Sequence, residues 1–452
     1  MTSSVEVFLA VAAVLVLLQA LFSLYLMLFS WEHPNRLEAS RGPRAYHRSD
    51  LSFTVLVPAR EEEAVIFDTV LRIWNGRFPL RDDPSETPEG YRTRKERQLE
   101  IVVICHEDDL ATIAEANRAA AAAGTSSVRV VTFSGTQVNK PRALNVGLAV
   151  TSNDVVAVFD AEDDVDAELL NAVATVMERE DVGIVQAGVQ LMNFRDHWFS
   201  LHNCVEYYFW FKSRLHFHAR QGMIPLGGNT VFVRRHLLER VGGWNPAALT
   251  EDADIGVRLS VLREPITVVY DGDRVTREET PSDTSALIRQ RTRWHQGFLQ
   301  VLVRRDWMRL PGPRQRLLAA YTFSYPFLQL PILTLWPLAI VLGVVWHVSV
   351  VVSMITFLPL YALAFQFFVT LIGAGMFTRE YGMRLPVRTF VTLALTFLPY
   401  QWLLTVSSVR ALRRELAARS DWEKTAHVGA HRAALPRPAV TAPITDSEPF
   451  GT

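Results

Sequence analysis

The chain has 452 residues, 49% of them hydrophobic, with 46 basic against 47 acidic side chains and a formal net charge of −1. So even a balance leaves no whole-chain footprint for nucleic acid, and the apolar content suffices for at least one large core. Cys105 and Cys204 stand in no metal-ligand spacing. That argues against a disulfide framework and a zinc site, and fits a reducing, cytosolic compartment for the main domain.

From Val7 to Ser30 there is no charge, and only Gln19 and Ser23 interrupt the apolar run. That length crosses a bilayer. A cleaved signal peptide would need a basic leading region and a small-x-small site, and neither is present. Arg36, Arg41, Arg44 and Arg48 follow this segment and no arginine precedes it. The expectation is an outside N-terminus and a cytosolic domain beyond. Residues 1–50 are thus an anchor (span about 7–30) with a basic linker.

Residues 51–280 read as an α/β domain. Ser52–Val57, Glu100–Cys105, Ser127–Thr132 and Asp154–Phe159 are short β-branched runs bounded by polar turns, as buried parallel strands are. Asp109–Ala123 between them is alanine-rich and closed by Gly124, which predicts a helix. Alternating strands and helices imply a doubly wound, mostly parallel sheet with ligands at the carboxyl ends of its strands. Residues 81–98 are charged and contain Pro and Gly, and read as an exposed loop insertion.

Residues 281–315 are expected to form interfacial helices, and 316–412 a membrane region of three or four spans. The nearly uncharged stretches are 317–345, 348–377 and 389–409. Topology is in tension here. Arg379, Arg384 and Arg388 call for a cytosolic loop, and Arg410, Arg413, Arg414 and Arg419 for a cytosolic tail, with one span between them. The tail 413–452 reads as cytosolic and largely disordered from about Ala433.

Several motifs can carry chemistry. Phe159-Asp160-Ala161-Glu162-Asp163-Asp164 ends an apolar strand; carboxylates there suit Mg²⁺ or Mn²⁺ bridging a nucleotide diphosphate, or an acidic cap for the helix at 167–178. Thr250-Glu251-Asp252-Ala253-Asp254 offers a general base, or a capping box for the helix running to Leu262. Lys140 opens a helix and suits a phosphate, or is a solvated surface lysine. Gly227-Gly228-Asn229-Thr230 permits close backbone approach to a ligand, or is a plain turn. Gln290, Arg293 and Trp294 share one helix face by i, i+3, i+4 spacing. There the arginine can grip phosphate oxygens and the indole can stack on a sugar, while both also anchor an interfacial helix. The aromatic run Val205–Phe211 reads as core or membrane packing rather than an acceptor site.

Taken in order, these motifs resemble the family 2 glycosyltransferases, specifically the membrane-embedded processive branch of cellulose, hyaluronan and poly-N-acetylglucosamine synthases. Val57-Pro58-Ala59-Arg60-Glu61-Glu62 is similar to the family's opening nucleotide-binding motif, with Glu61 where Asn is commoner. The resemblance implies a GT-A-type doubly wound sheet inserted between transmembrane helices. It places Pro58, Ala59 and Glu62 by the nucleoside and Lys140 by the diphosphate. Asp160 and Glu162 take the D-x-D metal position, with Glu for the second Asp, and Asp252, with Glu251 beside it, the catalytic one. Gln290, Arg293 and Trp294 match Q-x-x-R-W. The second strand departs from the pattern, ending Cys105-His106-Glu107-Asp108-Asp109, where Glu107 is the candidate contact to the base and His106 competes. The Trp422-Glu-Lys-Thr425 tail also resembles that of less characterised members.

The implied reaction is inverting transfer from a nucleoside-diphosphate sugar, expected to be UDP-linked, with Mg²⁺ or Mn²⁺. The expected site is the cytosolic face of the plasma membrane, in a multi-pass protein. The main expectation is polysaccharide elongation coupled to translocation, with room for an accessory subunit. The alternative is transfer of one sugar to a glycolipid or polyprenyl-phosphate acceptor. A nucleotide-sensing membrane protein is the rival outside enzymes; its mark, intramembrane charge, is lacking between 317 and 377.

Overall fold

The computed structural model describes residues 2–33, 35, 41–81, 83–345, 349–419 and 429–433. Arg36 of the basic linker, the Trp422–Thr425 segment and most of the tail therefore lie outside the described residues.

Four β-branched runs give the first strands: β1 (Phe53–Ala59), β2 (Leu99–His106), β3 (Val128–Phe133) and β4 (Val155–Val158). β5 (Ile184–Ala187), β6 (Val189–Leu191), β7 (Val231–Arg234), β8 (Ile266–Val269) and β9 (Thr276–Glu278) follow. The main sheet has the order β3-β2-β1-β4-β7-β5-β8, and β6 pairs with β9 beside it. All main-sheet pairings are parallel except those of β7, which runs antiparallel to β4 and β5. Central β1 is buried on both faces, with Phe53, Val55, Leu56 and Val57 at 0% exposure. Each such side chain contributes roughly 1.5–3 kcal/mol of hydrophobic stabilisation. This is an α/β GT-A-like sheet with its apolar helices outside the catalytic domain, as the sequence implies.

The helix between β2 and β3 is Leu110–Ala123, capped by the Asp109 side chain and closed by Gly124 at φ 63°. Residues 81–98 differ from expectation. Pro88–Gln98 is a helix rather than a loop, begun by Thr87, whose side chain accepts a hydrogen bond from the Gly90 amide. Its charges are anchored: Arg94 pairs with Glu86 at 2.6 Å, and buried Lys95 donates to the Gly76 carbonyl at 2.8 Å. Charge in the sequence looked like exposure, but long basic stems bury readily when their heads find acceptors.

Glu6–Trp31, 26 residues, and Val350–Glu380, 31 residues, are long and apolar enough to cross a membrane. At 1.5 Å per residue they reach about 39 and 46 Å, against a hydrocarbon core of about 30 Å. The backbone of Pro313–Val345 is one helix of 33 residues. The last apolar stretch is not a straight span: Val387–Leu395 and Phe397–Leu416 meet at 54°. The apolar helices share a core with the sheet, since Leu24, Met27, Val369 and Phe377 cluster with Val102, Leu144 and Val158. Glycine makes one of these seams possible, because a Cβ on Gly373 would stand 2.6 Å from Phe209 Cζ.

Candidate active site

The carboxyl end of the sheet opens into a cavity of about 440 Å³. Pro58, Ala59 and Glu62 reach it from the end of β1, Lys140 from the start of helix Lys140–Val150, and Asp160 and Glu162 from the turn after β4. Glu251 and Asp252 open helix Glu251–Val261, while Gln290, Arg293 and Trp294 come from helix Thr284–Arg304. Eleven of the twelve residues singled out from the sequence thus line one cavity. Glu107 is the exception: it is exposed, and His106 lines the cavity in its place. Successive strand residues face opposite ways. At the end of β2 the inward position falls on His106, held by Asp108 at 2.5 Å and the Gly135 carbonyl at 3.0 Å.

Two turns shape the floor. Glu61 sits at φ 55°, a left-handed conformation in which Asn is more at ease. It is pinned by its own amide, which donates to Asp109 Oδ2 at 2.6 Å, while the next amide donates to Thr112 Oγ1 at 2.9 Å. Gly228, at φ 86°, lies so near Asp252 that an added Cβ would stand 3.1 Å from the carboxylate oxygen Oδ2. The glycine pair thus forms a loop packed close against the Asp252 carboxylate.

Charge is concentrated here. Lys140 Nζ is ion-paired with Asp160, lies 3.7 Å from Glu251 Oε1 and donates to the Gly228 carbonyl at 2.9 Å. Burial opposes its charge, but Asp160, Glu251 and Asp252 outweigh that and hold its pKa above the ordinary lysine value. It is no solvated surface lysine. Asp163 is fully buried; its carboxylate accepts from the Asp160 amide at 2.8 Å and from Asn229 Nδ2 at 2.8 Å. Its role is to hold the turn that carries Asp160. Thr250 makes no side-chain cap, so the capping-box reading of Thr250–Asp254 fails.

Burial, and then the neighbouring charge of Glu251, push the Asp252 carboxyl up to about 7, against the opposing pull of Lys140 and Arg293. A carboxyl titrating there is suited to general-base work near neutrality. Only its ionised form accepts a proton, so kcat/KM should rise with pH through about 7 and level off above. A pH–rate profile that stays flat down to about pH 5 would contradict this.

Asp160 and Glu162 are hard oxygen donors facing the same cavity. Among the described residues no group of three or more His, Cys, Asp or Glu is set to hold a metal ion by itself. Two carboxylates completed by phosphate oxygens and water are nevertheless a common Mg²⁺ arrangement, so the donor set fits a donor-bridging cation.

Sequence reasoning missed three contributors. Tyr207 lines the cavity from within the aromatic run, its ring 6.2 Å from that of Trp294. Tyr207 stands in the regular helix Ser200–Phe209, just before a π-helical turn at Trp210–Arg214, and the aromatic content of the run does not tell which ring faces the cavity. Glu278 and Glu279 enter from the end of β9, where nothing local marks them. Gly297 brings the Q-x-x-R-W helix against Thr250, two residues before Asp252: a Cβ there would stand 2.8 Å from Thr250 Cβ. Gly297→Ala should therefore displace Thr250–Asp252 and lower kcat by about 100-fold, with the far-UV dichroism spectrum unchanged.

A second cavity, about 280 Å³, adjoins the first and shares Tyr207, Gly227, Thr250, Asp252 and Trp294 with it. It runs away from the sheet between the apolar helices, reaching Met27, Tyr325, Gln366 and Gln401. Asp252 therefore stands at the junction of two chambers.

This sheet order is that of an α/β GT-A-like domain, with carboxylates, lysine and Q-x-x-R-W gathered at the carboxyl end of its strands. Residues 89–297 match the family model described as "Glycosyltransferase like family 2", and the chain is a glycosyltransferase of the hexosyltransferase class. Among curated proteins it is similar to the beta-monoglucosyldiacylglycerol synthase of Trichormus variabilis, at 27% identity over 405 residues, 86% of this chain and 80% of that one. The protein of the same description from Synechocystis sp. is 27% identical over 313 residues, covering 67% of this chain and 63% of its own length. Among solved structures, a mannosyltransferase from Pyrobaculum calidifontis in complex with GDP-Man and Mn²⁺ is 18% identical, with a TM-score of 0.51. The match covers 91% of this chain and 99% of that one, and shows the shared fold.

Proposed function

We propose that the protein transfers a single hexose from a nucleoside-diphosphate sugar to the hydroxyl of a membrane lipid of the diacylglycerol type, with inversion. The observation that carries this reading is the junction at Asp252: the donor chamber meets, at the base, a second chamber bounded by the apolar helices. The relatives' names point the same way and favour a lipid product over the polysaccharide that the motifs first suggest.

Asp252 takes the acceptor proton while the acceptor oxygen attacks C1 from the face opposite the diphosphate. Lys140 and Arg293 stabilise the charge that gathers on the departing diphosphate. A Mg²⁺ or Mn²⁺ ion held by Asp160 and Glu162 would add Lewis-acid stabilisation at the same oxygens. Trp294 and Tyr207 offer ring faces where donor sugar and acceptor meet.

Membrane topology follows the same reading. The second half of the bent helix pair is tied to the Q-x-x-R-W helix: Gln296 donates to Glu415 at 3.0 Å and to the Arg419 carbonyl at 2.6 Å, and Arg414 donates back at 3.0 Å. We read this pair as lying at the interface, with crossings only at the N-terminal helix, 313–345 and 350–380. Both arginine groups then face the cytosol with the catalytic domain, which removes the conflict in the sequence.

The test uses the full chain in lipid nanodiscs with Mg²⁺ or Mn²⁺, a panel of UDP- and GDP-sugars, and diacylglycerol. Nucleotide release matched by a hexosyl lipid supports the reading. Release matched by a long glycosidase-sensitive polymer would restore the polysaccharide reading.

A further inference from the structure

The second chamber is lined by groups that an acyl chain does not need. Gln329 stands near the middle of helix Pro313–Val345, Gln366 near the middle of Val350–Glu380, and Gln401 in the first turns of Phe397–Leu416. All three line the cavity, and none of their side-chain amides makes a hydrogen bond to another described residue. An amide left unsatisfied at membrane depth costs several kcal/mol. Gln329 and Gln366 stand at that depth and Gln401 at the interface, and three amides converging on one cavity call for a polar occupant.

Charge narrows its class. The cations on the wall are engaged, Arg291 with Glu206, and Arg214 with Ser23 Oγ at 2.8 Å and the face of Tyr325. Among the described residues Arg214 has no carboxylate of its own, but Asp252 and Glu206 on the same wall match Arg214 and Arg291 in number, so the lining carries no net charge and suits an occupant that is neutral as well as polar. Its other walls are aromatic, with Trp210 joining Tyr207 and Trp294. Amides that both donate and accept, beside flat apolar rings, match a sugar, whose hydroxyls want the first and whose C–H faces want the second. At about 280 Å³ the chamber sits at the low end of small-molecule sites, the size of a headgroup rather than of two acyl chains.

We propose that this chamber holds a hexose already joined to lipid, so that the enzyme adds a second hexose to its own first product. The inference rests on the lipid-acceptor reading above. In the second round a hydroxyl of the bound hexose loses its proton to Asp252 and forms a new bond to C1 of the donor sugar. The bond from C1 to the diphosphate breaks, and the nucleoside diphosphate leaves with the electron pair.

The experiment supplies the full chain in nanodiscs with its donor and either diacylglycerol or monoglucosyl-diacylglycerol, and follows lipids by mass spectrometry. Dihexosyl lipid is expected from both, with kcat/KM for the two acceptors within about tenfold of each other. Gln366→Leu and Gln401→Leu should each depress kcat/KM for the monoglucosyl lipid about tenfold more than for diacylglycerol. Equal losses on the two acceptors would overturn the assignment of these amides to the sugar. If diacylglycerol is consumed and the monoglucosyl lipid is left untouched, the second addition is wrong and the lipid-acceptor reading stands. If neither lipid is consumed while the donor is turned into polymer, the reading beneath it falls instead.

Discussion

Asp252→Asn is expected to lower kcat by about 10²–10⁴-fold while nucleoside-diphosphate affinity stays within about threefold. The amide has the same shape, keeps its distance from the Gly228 loop and cannot take a proton. Asp252 lies where the two chambers meet, whereas Lys140, Arg293 and the turn after β4, the proposed diphosphate side, line the larger chamber alone. Calorimetric titration of UDP or GDP beside a turnover assay separates the two contributions. Parallel loss of binding and turnover would show that Asp252 holds the donor rather than the acceptor proton.

Lys140→Met is expected to do the reverse for binding. Removing its cation leaves Asp160, Glu251 and Asp252 facing one another with Arg293 as the remaining counter-charge, so the nucleoside diphosphate should bind at least about tenfold more weakly. Loss of a preorganised charge at the leaving group should lower kcat by about 10²–10³-fold. A second readout is specific to this geometry. Lys140 holds the Asp252 pKa down, so its loss should move the acidic limb of the pH–rate profile to higher pH. A limb that stays in place would mean that Lys140 does not act on the base, whatever its effect on turnover. Thermal melting of both variants controls for folding, because Lys140 is ion-paired in the folded protein.

What could be read in the sequence is what depends on local order. Strand ends, Asp160 and Glu162 after an apolar run, and the i, i+3, i+4 face of Gln290, Arg293 and Trp294 all follow from periodicity and spacing, and the structure brings them to one cavity. Less legible is what depends on direction or on distant partners. Whether His106 or Glu107 faces inward turns on the last residue of a strand, the least certain position in any sequence reading. Pro88–Gln98 looked like a loop because Arg94 and Lys95 find their acceptors only in the fold. The second chamber could not be foreseen, since Tyr207, Gln329, Gln366 and Gln401 come from four separate helices. The polymer expectation came from motifs on the donor side, which processive and single-transfer enzymes share; the acceptor side is assembled elsewhere in the chain.

The seam between catalytic domain and apolar helices sets how this protein can be handled. Buried Lys212, on the catalytic side, is ion-paired with Glu380 at the end of helix Val350–Glu380, and Tyr208 donates to that carboxylate at 2.7 Å. Ser213 Oγ reaches the Leu26 carbonyl of the N-terminal helix at 2.9 Å. An excised catalytic fragment would lose these partners together, leaving an ammonium without its carboxylate and the raw apolar flank around Phe209. Crystallisation or screening on such a fragment would report on a wounded molecule, and the whole chain in lipid is the smallest unit worth purifying.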